Sequence, residues 1–167
     1  MKNLEASNIS SDSGTIPKYI IKDIESTYFT KFPKDYIDFI TKHNAAYLKA
    51  DVFDYFDQER EKENSNGITF IAGQKISEFI EILLSQSTDN PNDPDVWKFY
   101  RYFDSRLIPF GENGGGDFIC FDYRNHNGDN PPIVIWSHDV ANNSKRISFI
   151  ANNFEEFINM LHEPEDE

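Results

Sequence analysis

The run from Leu107 to Asp139 reads LIPFGENGGGDFICFDYRNHNGDNPPIVIWSHD. It contains three apolar segments: Leu107-Ile108-Pro109-Phe110, Phe118-Ile119-Cys120-Phe121 and Ile133-Val134-Ile135-Trp136. Turn-forming residues part them, first Gly111 with Gly114-Gly115-Gly116, then Asn125 to Pro132. Short β-branched and aromatic runs bounded by Gly, Asn, Asp and Pro read as strands joined by hairpins. The gaps are too short for intervening helices, so neighbouring strands run antiparallel. The run is therefore predicted to be the central meander of a single sheet. The remaining chain reads as helices and edge strands covering one face, an α+β fold.

Upstream, Ile76, Phe79, Ile80, Leu83 and Leu84 fall at the i, i+3, i+4, i+7, i+8 spacing of an amphipathic helix. Ser85 to Pro94 reads as a polar loop, and the aromatic run Val96 to Phe103, with Trp97, Phe99, Tyr100 and Tyr102, as a short helix or a strand, the helix being preferred. Nearer the start, Pro17 suits a first helical turn, and Ile20, Ile21, Ile24 and Tyr28 share one face. Phe32-Pro33 breaks that helix and opens a second, with Tyr36, Ile37, Ile40 and Asn44 inward. Asp51 to Asp57 alternates aromatics with acids and reads as a strand. It is expected to return through a charged tip, Gln58 to Asn66, into Ile68–Ile71 as its partner. Downstream, Arg146 to Ile150 reads as the last strand. Asn152 with Glu155 then caps a closing helix whose stripe is Phe154, Phe157, Ile158 and Leu161. Residues 1–14 are expected to be a flexible tail, 15–162 one domain, and 163–167 an acidic solvated tail.

The 167 residues fit one domain, and 15 phenylalanines supply a core. A net charge of -13 repels phosphate backbones, which argues against direct nucleic-acid binding; it would steer a basic partner, although on charge alone plain solubility is the favoured reading. The single cysteine, Cys120, excludes an internal disulfide and reads as a buried, inert thiol. No run approaches the roughly 18 apolar residues of a membrane span and no leader is evident, so a cytoplasmic protein is expected.

Reactive chemistry finds little support. The Glu112–Asp117 loop lacks the Gly-Lys-Ser/Thr ending of a phosphate loop and reads as a hairpin connection. Asp122 to Asp129 places Arg124 and His126 where a calcium loop needs oxygen ligands. The four histidines, His43, His126, His138 and His162, show no metal spacing. His138-Asp139 is the one candidate base–orienter pair, with no nucleophile near it in sequence. No metal, cofactor or catalytic residue is expected.

The order of segments resembles the SUKH superfamily, the Smi/Knr-type domain. Phe32-Pro33-Lys34-Asp35-Tyr36 is similar to its Leu-Pro-x-x-Tyr helix opening, although Asn44-Ala45-Ala46 stands where Asn-Gly-Gly is usual. "LIPFGENGGGDFICFDY" resembles the family's strand–Gly-Asp–strand signature, "PPIVIWSHD" its Trp-bearing strand, and "ISFIANNFEEFINML" its closing strand and helix. The resemblance implies a compact, non-enzymatic α+β domain. Bacterial members are often immunity proteins that block a polymorphic toxin, commonly a nuclease. A eukaryotic branch regulates cell-wall synthesis through protein contacts.

On that basis the acidic segments become candidate toxin-binding residues: Asp51, Asp54, Asp57, Glu59, Glu61 and Glu63, with Glu112, Asp117 and Asp122 from the meander. In 51–63 six acids face only Arg60 and Lys62. The expected partner is a cognate basic toxin, the protein itself being a monomer or weak dimer. The alternative is a regulatory interaction module contacting its partner near Trp97. Charge on an edge strand also guards against aggregation with no partner involved.

Overall fold

A computed structural model describes residues 1–88, 103–140 and 142–166. The aromatic run before Phe103, with Trp97, lies outside the described residues. The architecture is α+β and antiparallel, as the sequence predicts. Five strands form the main sheet in the order β5 (Thr69–Phe70), β6 (Leu107–Glu112), β7 (Phe118–Asp122), β8 (Ile133–Trp136), β9 (Ile147–Ala151). Two smaller sheets flank it. One joins β1 (Ile9–Ser11) to β2 (Tyr47–Leu48), the other β3 (Val52–Asp57) to β4 (Lys62–Gly67).

Strands β7 and β8 are apolar at nearly every position and buried on both sides. A strand with two apolar faces needs cover on each. Phe121 points to one face, where its ring meets Phe32, Tyr36 and Phe154. These residues belong to, or border, α2 (Lys34–Lys42) and α4 (Phe154–Met160). Phe118, three residues earlier, points to the other face and meets Phe79 of α3 (Ile76–Thr88) and Trp136. Helices thus cover both faces, rather than the one the pattern suggested. The helix α1 (Lys18–Tyr28) buries Ile21 and Ile24.

A β-bulge in β6, between Pro109 and Gly111, sets Phe110 out of register. Proline has no N–H to offer a ladder, so Pro109 is tolerated at this irregularity. Phe110 stacks on Phe121 with ring centres 4.2 Å apart. At Gly111 a Cβ would come within 2.5 Å of Ile68 Cδ1, so a larger residue there would have to displace the Ile68 side chain.

Four segments depart from the sequence reading. The helix α3 runs on through residues 85–88, where the sequence reads as a loop. The partner of β3 is the polar run Lys62–Gly67, not Ile68–Ile71; Thr69–Phe70 crosses to the main sheet instead. The tip shrinks to residues 58–61, with Glu61 left-handed at φ 54°. The helix α4 is capped one residue later than expected, by Asn153, whose Oδ1 accepts from Glu156 N at 2.8 Å. Residues 1–14 are placed against the body. Asn3 donates to the carbonyls of Ile158 and Leu161, Asn8 Oδ1 accepts from Ala50 N, and Ile9 pairs with Leu48. No helix among the described residues is long and apolar enough to cross a membrane.

After α2, the turn is made without glycine. Ala45 sits at φ 53°, a left-handed conformation in which a Cβ is strained. Ala45→Gly is expected to raise stability by up to about 1 kcal/mol, a few degrees in Tm. A thermal melt in which the variant unfolds below the parent would contradict this.

Candidate functional site

The β3–β4 hairpin is a two-faced ribbon. Register pairs Phe53 with Asn66, Asp54 with Ser65, Tyr55 with Asn64, and Phe56 with Glu63. Alternation then puts Phe53, Tyr55, Asn64 and Asn66 inward, and Asp54, Phe56, Glu63 and Ser65 outward. Inward, Phe53 packs on Phe157 of α4 at 5.6 Å. The outward face carries Phe56, 45% exposed, between the exposed carboxylates of Asp54 and Glu63. Among the described residues, the far edge of β4 pairs with no other strand.

A polar ladder holds the ribbon in place. Asn66 and Asn64 donate to Tyr55 Oη at 2.9 and 3.3 Å, and Asn64 also donates to Asp57 Oδ2 at 3.2 Å. Asn113 Nδ2 reaches across from the glycine loop, donating to Asn66 Oδ1 at 3.1 Å and Asp117 Oδ2 at 3.2 Å. Burial pushes the Tyr55 hydroxyl pKa up, so it stays protonated. Side-chain amides thus tie the loop after β6 to the back of the hairpin.

The loop itself is built around Asn113, whose Oδ1 accepts from the N–H groups of Gly115 and Asp117. Gly116 at φ 94° lets the chain pass the ring of His138; a Cβ there would lie 3.1 Å from its Cε1. Asp117 Oδ1 accepts from His138 N at 3.0 Å and sits 2.7 Å from His138 Nδ1. A carboxylate accepts, so Nδ1 carries the proton. The group orienting His138 is therefore Asp117, where sequence adjacency had suggested Asp139. Ligand atoms of Asp117, His138 and Asp139 lie within 4.8 Å of one another. Both Asp117 oxygens already accept hydrogen bonds, so that carboxylate clasps the loop to the end of β8.

The candidate acids separate by environment. Asp54, Glu59, Glu61 and Glu63 are exposed and stand together on the outer face and tip of the hairpin. Asp54 accepts from Ser65 Oγ and lies 3.0 Å from His162 Nε2. The Ser65 bond, then the one to His162, holds its pKa below the usual value. His162 in turn is raised, by its bond to the Glu163 carbonyl and then by Asp54. As pH rises through that raised pKa, the imidazolium is lost and the Asp54 charge stands uncompensated. Glu61 pairs with Lys145 at 3.3 Å in an exposed contact worth little.

Of the other candidates, Asp57 and Asp122 are engaged internally. Asp57 caps the tip by accepting from Glu59 N and Arg60 N. Asp51 lies at the hairpin base, where burial raises its pKa. Asp122 is gripped by Arg124 Nε and Nη2, each at 2.9 Å. Glu112 ends β6 opposite Phe118 and Thr69. The buried Cys120 thiol is raised well above its ordinary pKa by burial, which leaves it inert.

Sequence reasoning missed Phe56 as an anchor, the Asn64–Asn66–Asn113 ladder, and His162. Asn64 and Asn66 do recur at the strand period of two, a signal that hydrophobicity does not carry.

Over residues 17–160 the chain matches the model of the SMI1 / KNR4 family (SUKH-1). It is also similar to the SPbeta prophage-derived uncharacterized protein YokK of Bacillus subtilis (strain 168). The two are 26% identical over 150 residues, covering 86% of this chain and 74% of the relative. The Phe-Pro-x-x-Tyr helix, the Gly116-Asp117 loop and the Trp136 strand all fall inside the matched stretch, and the chain belongs to the SMI1 / KNR4 family (SUKH-1).

Proposed function

We propose that this protein is a non-enzymatic immunity protein that neutralises a cognate bacterial toxin with a basic face, a nuclease domain being the class it suits. The observation that carries this reading is the outward hairpin face: a half-exposed phenylalanine, Phe56, between Asp54 and Glu63, with Glu59 and Glu61 at the tip. Protein interfaces are enriched in aromatic residues, with polar and charged residues at their rim. The carboxylates steer a basic partner and set its register, while Phe56 supplies apolar contact once water leaves. A nuclease that grips phosphates would meet carboxylates in their place. Asp57 caps the tip of this hairpin, and Asp117 bonds Asn113, which ties the glycine loop to its back. Family membership favours a protein-binding role over a catalytic one, and a relative described as prophage-derived is compatible with a genetic conflict setting.

The test is co-expression with the toxin domain encoded beside this gene. Cells making the toxin domain alone are expected to stop growing, and cells making both to grow. Continued growth arrest, with this protein folded and abundant, would refute the reading.

A further inference from the structure

The outward hairpin face already holds a cation of its own. After α4 the chain returns across the start of β3, where Val52 and His162 exchange two backbone hydrogen bonds, each 3.0 Å. Asp54 lies two residues beyond Val52, so its side chain leaves the same face of the ribbon. There His162 Nε2 sits 3.0 Å from Asp54 Oδ2, and His162 Nδ1 sits 2.9 Å from the Glu163 carbonyl oxygen. A carbonyl and an ionised carboxylate only accept, so both ring nitrogens must donate. The ring that fits this seat therefore carries two protons and a positive charge. The charged groups that face it, Asp54 and Asp51 of the hairpin and Glu165 of the tail, are all carboxylates.

An ion pair this exposed contributes little to the fold. Its consequence is for Asp54. One oxygen of that carboxylate accepts from Ser65 Oγ, and the other is occupied by the imidazolium. Asp54 also walls an open hollow of about 530 Å³, completed by Glu63, Asn64 and Ser65. The charged lining of that hollow is two carboxylates and no cation.

Resting on the reading of this face as the docking surface, we infer that Asp54 is the seat for a cationic side chain of the partner, an arginine or lysine, and that His162 is the internal cation which that side chain displaces. The hollow beside Asp54 admits a long basic side chain, and Glu63 adds a second carboxylate to its wall. On displacement the ring loses its carboxylate and gains a cationic neighbour, so its proton passes to the solvent. At low pH the imidazolium competes for Asp54. As pH rises through the raised pKa of His162 the competitor is lost, and association tightens.

NMR of the histidine rings of the full chain, titrated with a hexa-arginine peptide, tests this without a toxin. In the free protein the His162 ring should hold a proton on both nitrogens at neutral pH, and Asp54→Asn should lower its titration. The peptide should lower it too. His43, whose Nδ1 lies 2.9 Å from Asp12 Oδ2 outside the hairpin, is the control and should barely respond. With the cognate toxin domain, affinity should rise roughly threefold from about pH 6 to 8, and His162→Gln should flatten that rise. A His162 titration that the peptide leaves unmoved, or moves no further than that of His43, would overturn the inference. So would a pH response of toxin affinity that is the same in His162→Gln. Failure of the toxin domain to bind at any pH refutes the immunity reading instead, and the peptide result still decides the seat.

Discussion

Replacing Phe110 with alanine is expected to destabilise the protein by about 3–5 kcal/mol, a large share of the roughly 5–15 kcal/mol that holds a typical domain folded. Phe110 is fully buried at the crossing of every layer on its face of the sheet. Its ring stacks on Phe121 of β7 at 4.2 Å. It meets Tyr36 of α2 at 5.8 Å, Phe154 and Phe157 of α4 at 6.1 and 5.9 Å, and Phe70 of β5 at 6.2 Å. Alanine would remove one side of all five contacts. The bulge that places the ring fixes the neighbouring backbone, so the cavity cannot easily collapse. Denaturant unfolding should show a much lower midpoint with an unchanged slope. Phe56→Ala, on the outer hairpin face, should change stability by no more than about 0.5 kcal/mol. A Phe110→Ala loss below about 1 kcal/mol would mean the aromatic cluster is not the centre of the core.

The second large effect is on binding. The double variant Asp54→Lys, Glu63→Lys is expected to weaken association with the cognate toxin domain at least tenfold, about 1.4 kcal/mol or more. It leaves four acids and four bases in 51–63, where there had been six and two. Both side chains are exposed and face outward, so the hairpin should keep its fold, which circular dichroism can verify. Reversal at Asp122 should do the opposite. That carboxylate is tied to Arg124, so its loss should lower stability and leave the association rate near the parent value. Calorimetric titration gives the affinities of the three proteins, thermal melts their stabilities and stopped flow their association rates, and together these separate the outcomes. Equal affinity for parent and double variant would remove the hairpin from the interface.

Much of the fold could be read from the chain because its signals are apolar and periodic. The strands β6 to β9 are short β-branched or aromatic runs between turn residues, and α3 has a regular stripe. The polar parts were harder. The strand β4 contains no apolar side chain, so nothing in its hydrophobicity marks it as a strand. The first residues look like a tail because Asn3 and Asn8 hold them through hydrogen bonds to distant carbonyl and amide groups, a feature composition does not carry. The acids were legible as a cluster, but not by fate. Asp54 and Glu63 share one face through the hairpin register. Asp57, Asp117 and Asp122 look the same in sequence, yet close a turn, clasp a histidine and pair with an arginine.

The association rate of the purified protein with the cognate toxin domain, followed by stopped flow from low to high salt, bears most directly on the acidic hairpin as the docking face. The expected rate is fast at low salt and falls steeply as ions screen the attraction, with a much flatter dependence for the Asp54→Lys, Glu63→Lys variant. A rate indifferent to salt, or one that falls equally for both proteins, would contradict docking through that face.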